Sequence, residues 1–172
     1  MKDIRTAVVV GNPKPDSRTL AAATRLTREL TGSDPGLVVD LATVGPGLLD
    51  WSSPEVTDLV ERVGAADLVV VGSPTYKGSY TGLLKLFLDR FAARTGLTGL
   101  AVPLMLGGGP AHALAPELTL RPILTELGAT VPGRGLYVVD GSYEDPAAYD
   151  DWLRDTAPVV RALLEANQGA LA

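Results

Sequence analysis

The chain has 172 residues, of which 46% are hydrophobic and 20% charged, with a formal net charge of −5. That length and composition predict one globular domain over residues 1–172 with a substantial core. The acidic balance and the lack of a basic patch exclude nucleic acid and anionic membrane as main partners. With no cysteine and a single histidine, His112, there is no thiol chemistry, no disulfide and no histidine cluster for a metal.

Short β-branched runs alternate with helical stretches along the chain. The opening MKDIRTAVVV runs straight into a strand without a secretory pattern, and no apolar run reaches bilayer length, so the protein reads as cytoplasmic. TAVVVG (6–11) is the first strand; it lacks polar alternation, as a strand buried on both faces does. Residues 17–30 carry Leu20, Ala23, Leu26 and Leu30 at helical spacing. LVVDLA (37–42) is the second strand, 44–54 a loop, and 54–66 a helix behind a Ser53 cap with Pro54 in its first turn. The most apolar strand is 67–74, followed by a helix over 79–92 and a fourth strand over 100–106. Residues 112–128 are helical but interrupted at Pro116 and Pro122. The fifth strand is 135–141, and a last helix, 145–167, is capped by Asp145 and kinked or split by Pro158. Five strands alternating with helices predict a parallel α/β sheet covered on both faces, with a ligand beyond the carboxyl ends of the strands.

Three unusual loops follow strands one, three and four. GNPKPDSRT (11–19) offers Ser17 and Thr19 hydroxyls, backbone N–H groups at a helix start and one fixed charge, Arg18, a set that suits a phosphate. It is neither a G-x-G-x-x-G fingerprint nor a Walker A loop, and simple helix capping by Ser17 or Thr19 is the plainer alternative. GSPTYKGSYTGLLK (72–85) supplies a rigid, exposed backbone held by Pro74 and Gly78, able to line a flat heteroaromatic ring beside Tyr76; an ordinary strand–helix connection is its alternative. GGGPAH (107–112) lets another group approach the backbone closely, or is only a flexible loop. Glu144, Asp145, Asp150 and Asp151 read as a solvated helix start. No Ser-His-Asp order or paired carboxylates stand out, so no catalytic side chain is assigned and a bound cofactor is expected to carry the chemistry.

These three stretches, with LGGGPAHALAPELTLRPILTELGA, resemble the NADPH-dependent FMN reductases of flavodoxin-like fold, above all those that serve sulfonate monooxygenases. The likeness covers most of residues 5–140, and its most specific part is the S-P-x-Y-K-x-x-Y-x-G-x-L-K run. The resemblance implies a three-layer sandwich with a five-stranded parallel sheet in the order 2-1-3-4-5, FMN at the strand ends and a nicotinamide stacked on the flavin. It puts Ser17, Arg18 and Thr19 at the FMN phosphate, with Asn12 where many members have Ser. Pro74, Thr75, Tyr76, Lys77 and Gly78 fall along the isoalloxazine, and Gly107, Gly108, Gly109 and His112 in the second flavin-side loop. Leu118 stands where some sulfonate-system members carry an aromatic tied to flavin handling and assembly.

The expected activity is hydride transfer from NADPH, or NADH, to FMN, with reduced flavin passed to a flavin-dependent monooxygenase. A quinone or azo-compound reductase with retained FMN, and a non-catalytic flavodoxin-like electron carrier, are the rivals. Lys14, Lys77 and Arg121 are the candidate contacts to a nicotinamide 2′-phosphate. The apolar excess of helices 79–92 and 112–128 predicts a homodimer or homotetramer.

Overall fold

A computed structural model describes residues 4–169. Five parallel strands, β1 (Thr6–Val10), β2 (Leu37–Asp40), β3 (Leu68–Pro74), β4 (Leu100–Gly107) and β5 (Leu136–Val139), lie in the order β2-β1-β3-β4-β5. This is the flavodoxin-like arrangement expected from the sequence. Alternate residues of the central strands β1, β3 and β4 enter opposite cores, which is why those strands read as nearly unbroken apolar runs, whereas the edge strand β2 leaves Val38 exposed. Val8, Val10, Val70, Val102 and Leu104 pack under α1 (Arg18–Thr31) and α6 (Ala147–Gly169). On the other face, Val9, Val39, Val69, Val71 and Met105 share a core with α3 (Pro54–Gly64), α4 (Gly82–Leu88) and α5 (Arg121–Glu126).

Register brings the strand ends level. Val10 lies beside both Asp40 and Gly72, Pro74 beside Leu106, and Gly107 beside Val139. All the strand-to-helix loops that follow therefore open on one edge of the sandwich.

Several boundaries differ from the sequence expectation. The second strand stops at Asp40, whose carboxylate accepts the Ala42 N–H at 3.2 Å and starts a helical turn, α2 (Leu41–Val44). The expected loop after it holds a 3-10 turn, Gly45–Leu49. The helix expected from residue 79 begins at Gly82, because Thr81 is its cap, accepting the Leu84 N–H at 3.1 Å. The 112–128 stretch resolves into a π-helical turn, Pro116–Leu120, running into α5. The Arg121 N–H closes this wide turn by donating to the Pro116 carbonyl five residues back. Pro158 does not split α6, which continues to Gly169. Pro158 is exposed, so its ring lies on the outer side of α6.

Candidate functional site

The 11–17 loop leaves β1 through Gly11, where a Cβ would sit 2.3 Å from Leu84 Cβ, so only glycine allows α4 to pass this close. Thr81, the α4 cap, also donates its hydroxyl to the Gly11 carbonyl. Asn12 organises the next residues: its Oδ1 accepts the Lys14 N–H at 2.9 Å and its Nδ2 donates to Thr19 Oγ1 at 3.2 Å. Asp16 takes a positive φ of 50°, held by its N–H donating to Asp40 Oδ2 at 3.0 Å. Ser17 then caps α1, its Oγ accepting the Leu20 N–H at 3.2 Å. The first intrahelical bond is Ala21 N–H to Ser17 O, so helix geometry leaves the Arg18 and Thr19 N–H groups without an intrahelical acceptor. An anion is favoured there.

The expected phosphate residues divide. Ser17 lies at the helix mouth. Thr19 is 1% exposed and sits beneath the loop, where its hydroxyl supports Asn12. Arg18 is half exposed and is not a free charge: its guanidinium pairs with Asp140, just past β5, and lies 5.9 Å over the Tyr143 ring.

Beyond Pro74 the chain makes a tight two-residue hairpin. Tyr76 and Ser79 exchange backbone hydrogen bonds at 2.9 and 3.2 Å around Lys77 and Gly78, both with positive φ. Lys77 is thereby placed at the tip and Tyr76 is left 55% exposed. Ser73, fully buried, accepts the Thr81 N–H at 3.0 Å and fixes the base of the hairpin. Thr75 donates its N–H to the Leu106 carbonyl at 2.6 Å. Its Oγ1 is buried and makes no hydrogen bond. It lies near the Tyr137 phenol, whose proton goes instead to the Gly109 carbonyl at 2.6 Å.

Tyr137 explains part of the glycine triplet. A Cβ on Gly107 would fall 2.0 Å from the Tyr137 hydroxyl, whereas Cβ atoms on Gly108 and Gly109 would meet nothing within 4 Å. Burial pushes the Tyr137 phenol above its ordinary range, so it remains a neutral donor to the loop. His112 is exposed in the 3-10 turn Pro110–His112, its ring 3.6 Å from where a Gly78 Cβ would stand.

One cleft of about 380 Å³ runs across these loops, lined from the α1 mouth to the hairpin and the glycine loop. It brings together the expected Asn12, Ser17, Arg18, Pro74, Thr75, Tyr76, Gly107 and Gly108. Thr19, Lys77, Gly78, Gly109 and His112 lie outside its lining and act as supports or rim. Asp16, Leu106 and Asp140 line it without having been expected, and Lys14, expected only at a nicotinamide phosphate, lines it too. The signal for Asp140 was its place at the carboxyl end of a strand. Charge in the lining balances, with Lys14 and Arg18 against Asp16 and Asp140. Arg121, another nicotinamide-phosphate candidate, lies outside this lining and contacts Glu117 and the Val131 and Gly133 carbonyls. Among the described residues, no group of three or more His, Asp or Glu is placed to hold a metal, and no helix is long and apolar enough to cross a membrane.

The cleft fits a flavin mononucleotide in kind. It has an anion-favouring helix start at one end and open glycine backbone beside an exposed aromatic at the other.

Comparison with known proteins matches residues 4–144 to the family of NADPH-dependent FMN reductases. An FMN reductase (NADPH) of Escherichia coli is 30% identical over 146 residues, covering 83% of this chain and 76% of that one. An FMN reductase (NADPH) of Pseudomonas putida is 33% identical over 115 residues; the match covers 67% of this chain and only 56% of the relative. Among solved structures, an NADH:FMN oxidoreductase in its apo form superposes with a TM-score of 0.82 at 27% identity, over 93% of this chain and 89% of that one.

Proposed function

The chain belongs to the NADPH-dependent FMN reductase family, and from that premise we propose that it reduces FMN with NADPH or NADH in the strand-end cleft. FMN supplies the redox chemistry, accepting a hydride from the reduced nicotinamide. The α1 N–H groups, the Ser17 turn and Arg18 bind the phosphate, with charge-assisted bonds giving most of the preference for FMN over riboflavin. Thr75 lines the cleft beside Tyr76, and the joining of the α1 helix start to this hairpin and to the bare Gly108 backbone in one cleft is the observation that carries the reading. Tyr76 walls the ring on the hairpin side, and the bare backbone of Gly108 leaves room for the nicotinamide. No protein group transfers a proton in this scheme; the chain binds, orients and excludes water.

The same reading makes FMN an exchangeable reactant whose reduced form leaves for a separate flavin-dependent monooxygenase, in the cytoplasm. It also makes the protein a homodimer or homotetramer. Leu114 and Leu118, one helical turn apart and 65% and 67% exposed, support that association. Steady-state oxidation of NADPH and NADH, measured with FMN, riboflavin, a quinone or no acceptor, tests the function. Turnover that saturates with added FMN supports it. Stoichiometric flavin surviving dialysis, with turnover only on the quinone, would replace it with a quinone reductase.

A further inference from the structure

We propose that Asp140 is a built-in counter-ion for Arg18 that competes with the FMN phosphate and so sets how readily FMN leaves the site. The inference rests on the flavin site described above. Asp140 follows β5 at the start of a 3-10 turn, Asp140–Ser142, level with the glycine loop because Val139 pairs with Gly107. Its carboxylate meets the Arg18 guanidinium from 122 residues away in the chain, and both side chains line the cleft. Tyr143, three residues further on, lies under the same guanidinium. Two contacts from one segment therefore hold the cation on the β5 side.

A phosphate monoester brings about −1.5 to −2 charges near neutral pH. The cleft that receives it is already balanced, two cations against two carboxylates. Of the two carboxylates, Asp140 is the one paired with the cation at the helix mouth. On binding, Arg18 must leave Asp140 for the phosphate or hold both anions near each other, and each course weakens binding relative to a neutral residue at 140. The pair is solvent-accessible, with side chains 58% and 39% exposed, so it opens easily and adds no trap. A phosphate site weakened in this way favours exchange, which suits a flavin that acts as a diffusing product.

Fluorescence titration with FMN and riboflavin, together with stopped-flow release of FMN, tests this on the wild type, Asp140→Asn, Asp140→Ser, Arg18→Ala and the Arg18→Ala/Asp140→Asn double variant. Asp140→Asn is expected to tighten FMN about tenfold and slow its release, with riboflavin unchanged within about twofold. Asp140→Ser should do the same, which separates loss of charge from any new amide contact. In the Arg18→Ala background the gain should shrink to about threefold, since only repulsion remains to be relieved. Unchanged FMN binding in both Asp140 variants overturns the proposal while the site stands, provided Arg18→Ala still weakens FMN selectively. Weaker FMN binding in them overturns it too, making Asp140 a residue that positions Arg18. If Arg18→Ala weakens FMN and riboflavin equally, the phosphate site itself is wrong and the proposal falls with it.

Discussion

Gly107→Ala separates the structural glycine of the triplet from the one proposed to serve the ligand. The added Cβ would lie 2.0 Å from the Tyr137 hydroxyl and 2.9 Å from Cζ, too close for any rotation of the hydroxyl alone to relieve. Gly107 is in β4 and paired with Val139, so the backbone cannot retreat without opening the β4–β5 ladder. The ring must move instead, and its hydrogen bond to the Gly109 carbonyl goes with it. Overpacking of this sort costs about 1–3 kcal/mol, and the hydrogen bond adds roughly 1 kcal/mol. A total of about 2–4 kcal/mol is expected in urea unfolding. The clash is with one side chain, so Tyr137→Ala should remove most of the added cost, and the double-mutant cycle should show a coupling of about 2 kcal/mol. A Gly107→Ala protein as stable as the wild type, or a strictly additive cycle, would refute this account of the triplet.

Gly108→Val, with nothing within 4 Å of the new Cβ, should leave the melt within about 0.5 kcal/mol of wild type yet reduce NADPH-dependent FMN turnover sharply; unchanged turnover would make the loop a mere connector. Asp40→Ala removes the acceptor of both the Asp16 and the Ala42 N–H groups. It should cost about 1–3 kcal/mol of stability and weaken FMN more than riboflavin in a titration, because the phosphate loop loses its anchor. Burial first, opposed by Arg25 and aided by Tyr143, pushes the Tyr149 phenol from 10.0 up to about 12. The folded state therefore holds this proton more tightly than the unfolded one. The stability it confers is complete below pH 10 and is lost as pH rises toward 12. Urea midpoints measured across that window should fall more steeply in the wild type than in Tyr149→Phe.

The sheet could be read from the sequence because its central strands are buried on both faces, and runs such as 6–10 and 68–72 carry no competing polar pattern. The site loops could be read because each follows a strand and is rich in residues with special backbone freedom. What escaped depends on distance in space rather than along the chain. Asp140 looks like any turn residue until Arg18 is beside it. Tyr137 looks like one more strand aromatic until the glycine it forbids from changing is seen above it. Thr19 seemed as available as Ser17, since nothing local shows that Ser17 lines the cleft while Thr19 is spent on Asn12 outside it. The rule that proline ends a helix fails at Pro158, which sits on the exposed side of α6, and holds only in part at Pro116 and Pro122, where a π-helical turn breaks the run.

The most direct test of the flavin assignment is a crystal structure of the chain soaked with FMN. The account predicts the phosphate within hydrogen-bond distance of Ser17 and the first N–H groups of α1, with the ring against Thr75 and Tyr76 and over Gly108. A flavin bound instead in the separate cleft of about 300 Å³ beside Trp152 and Arg134 would contradict it.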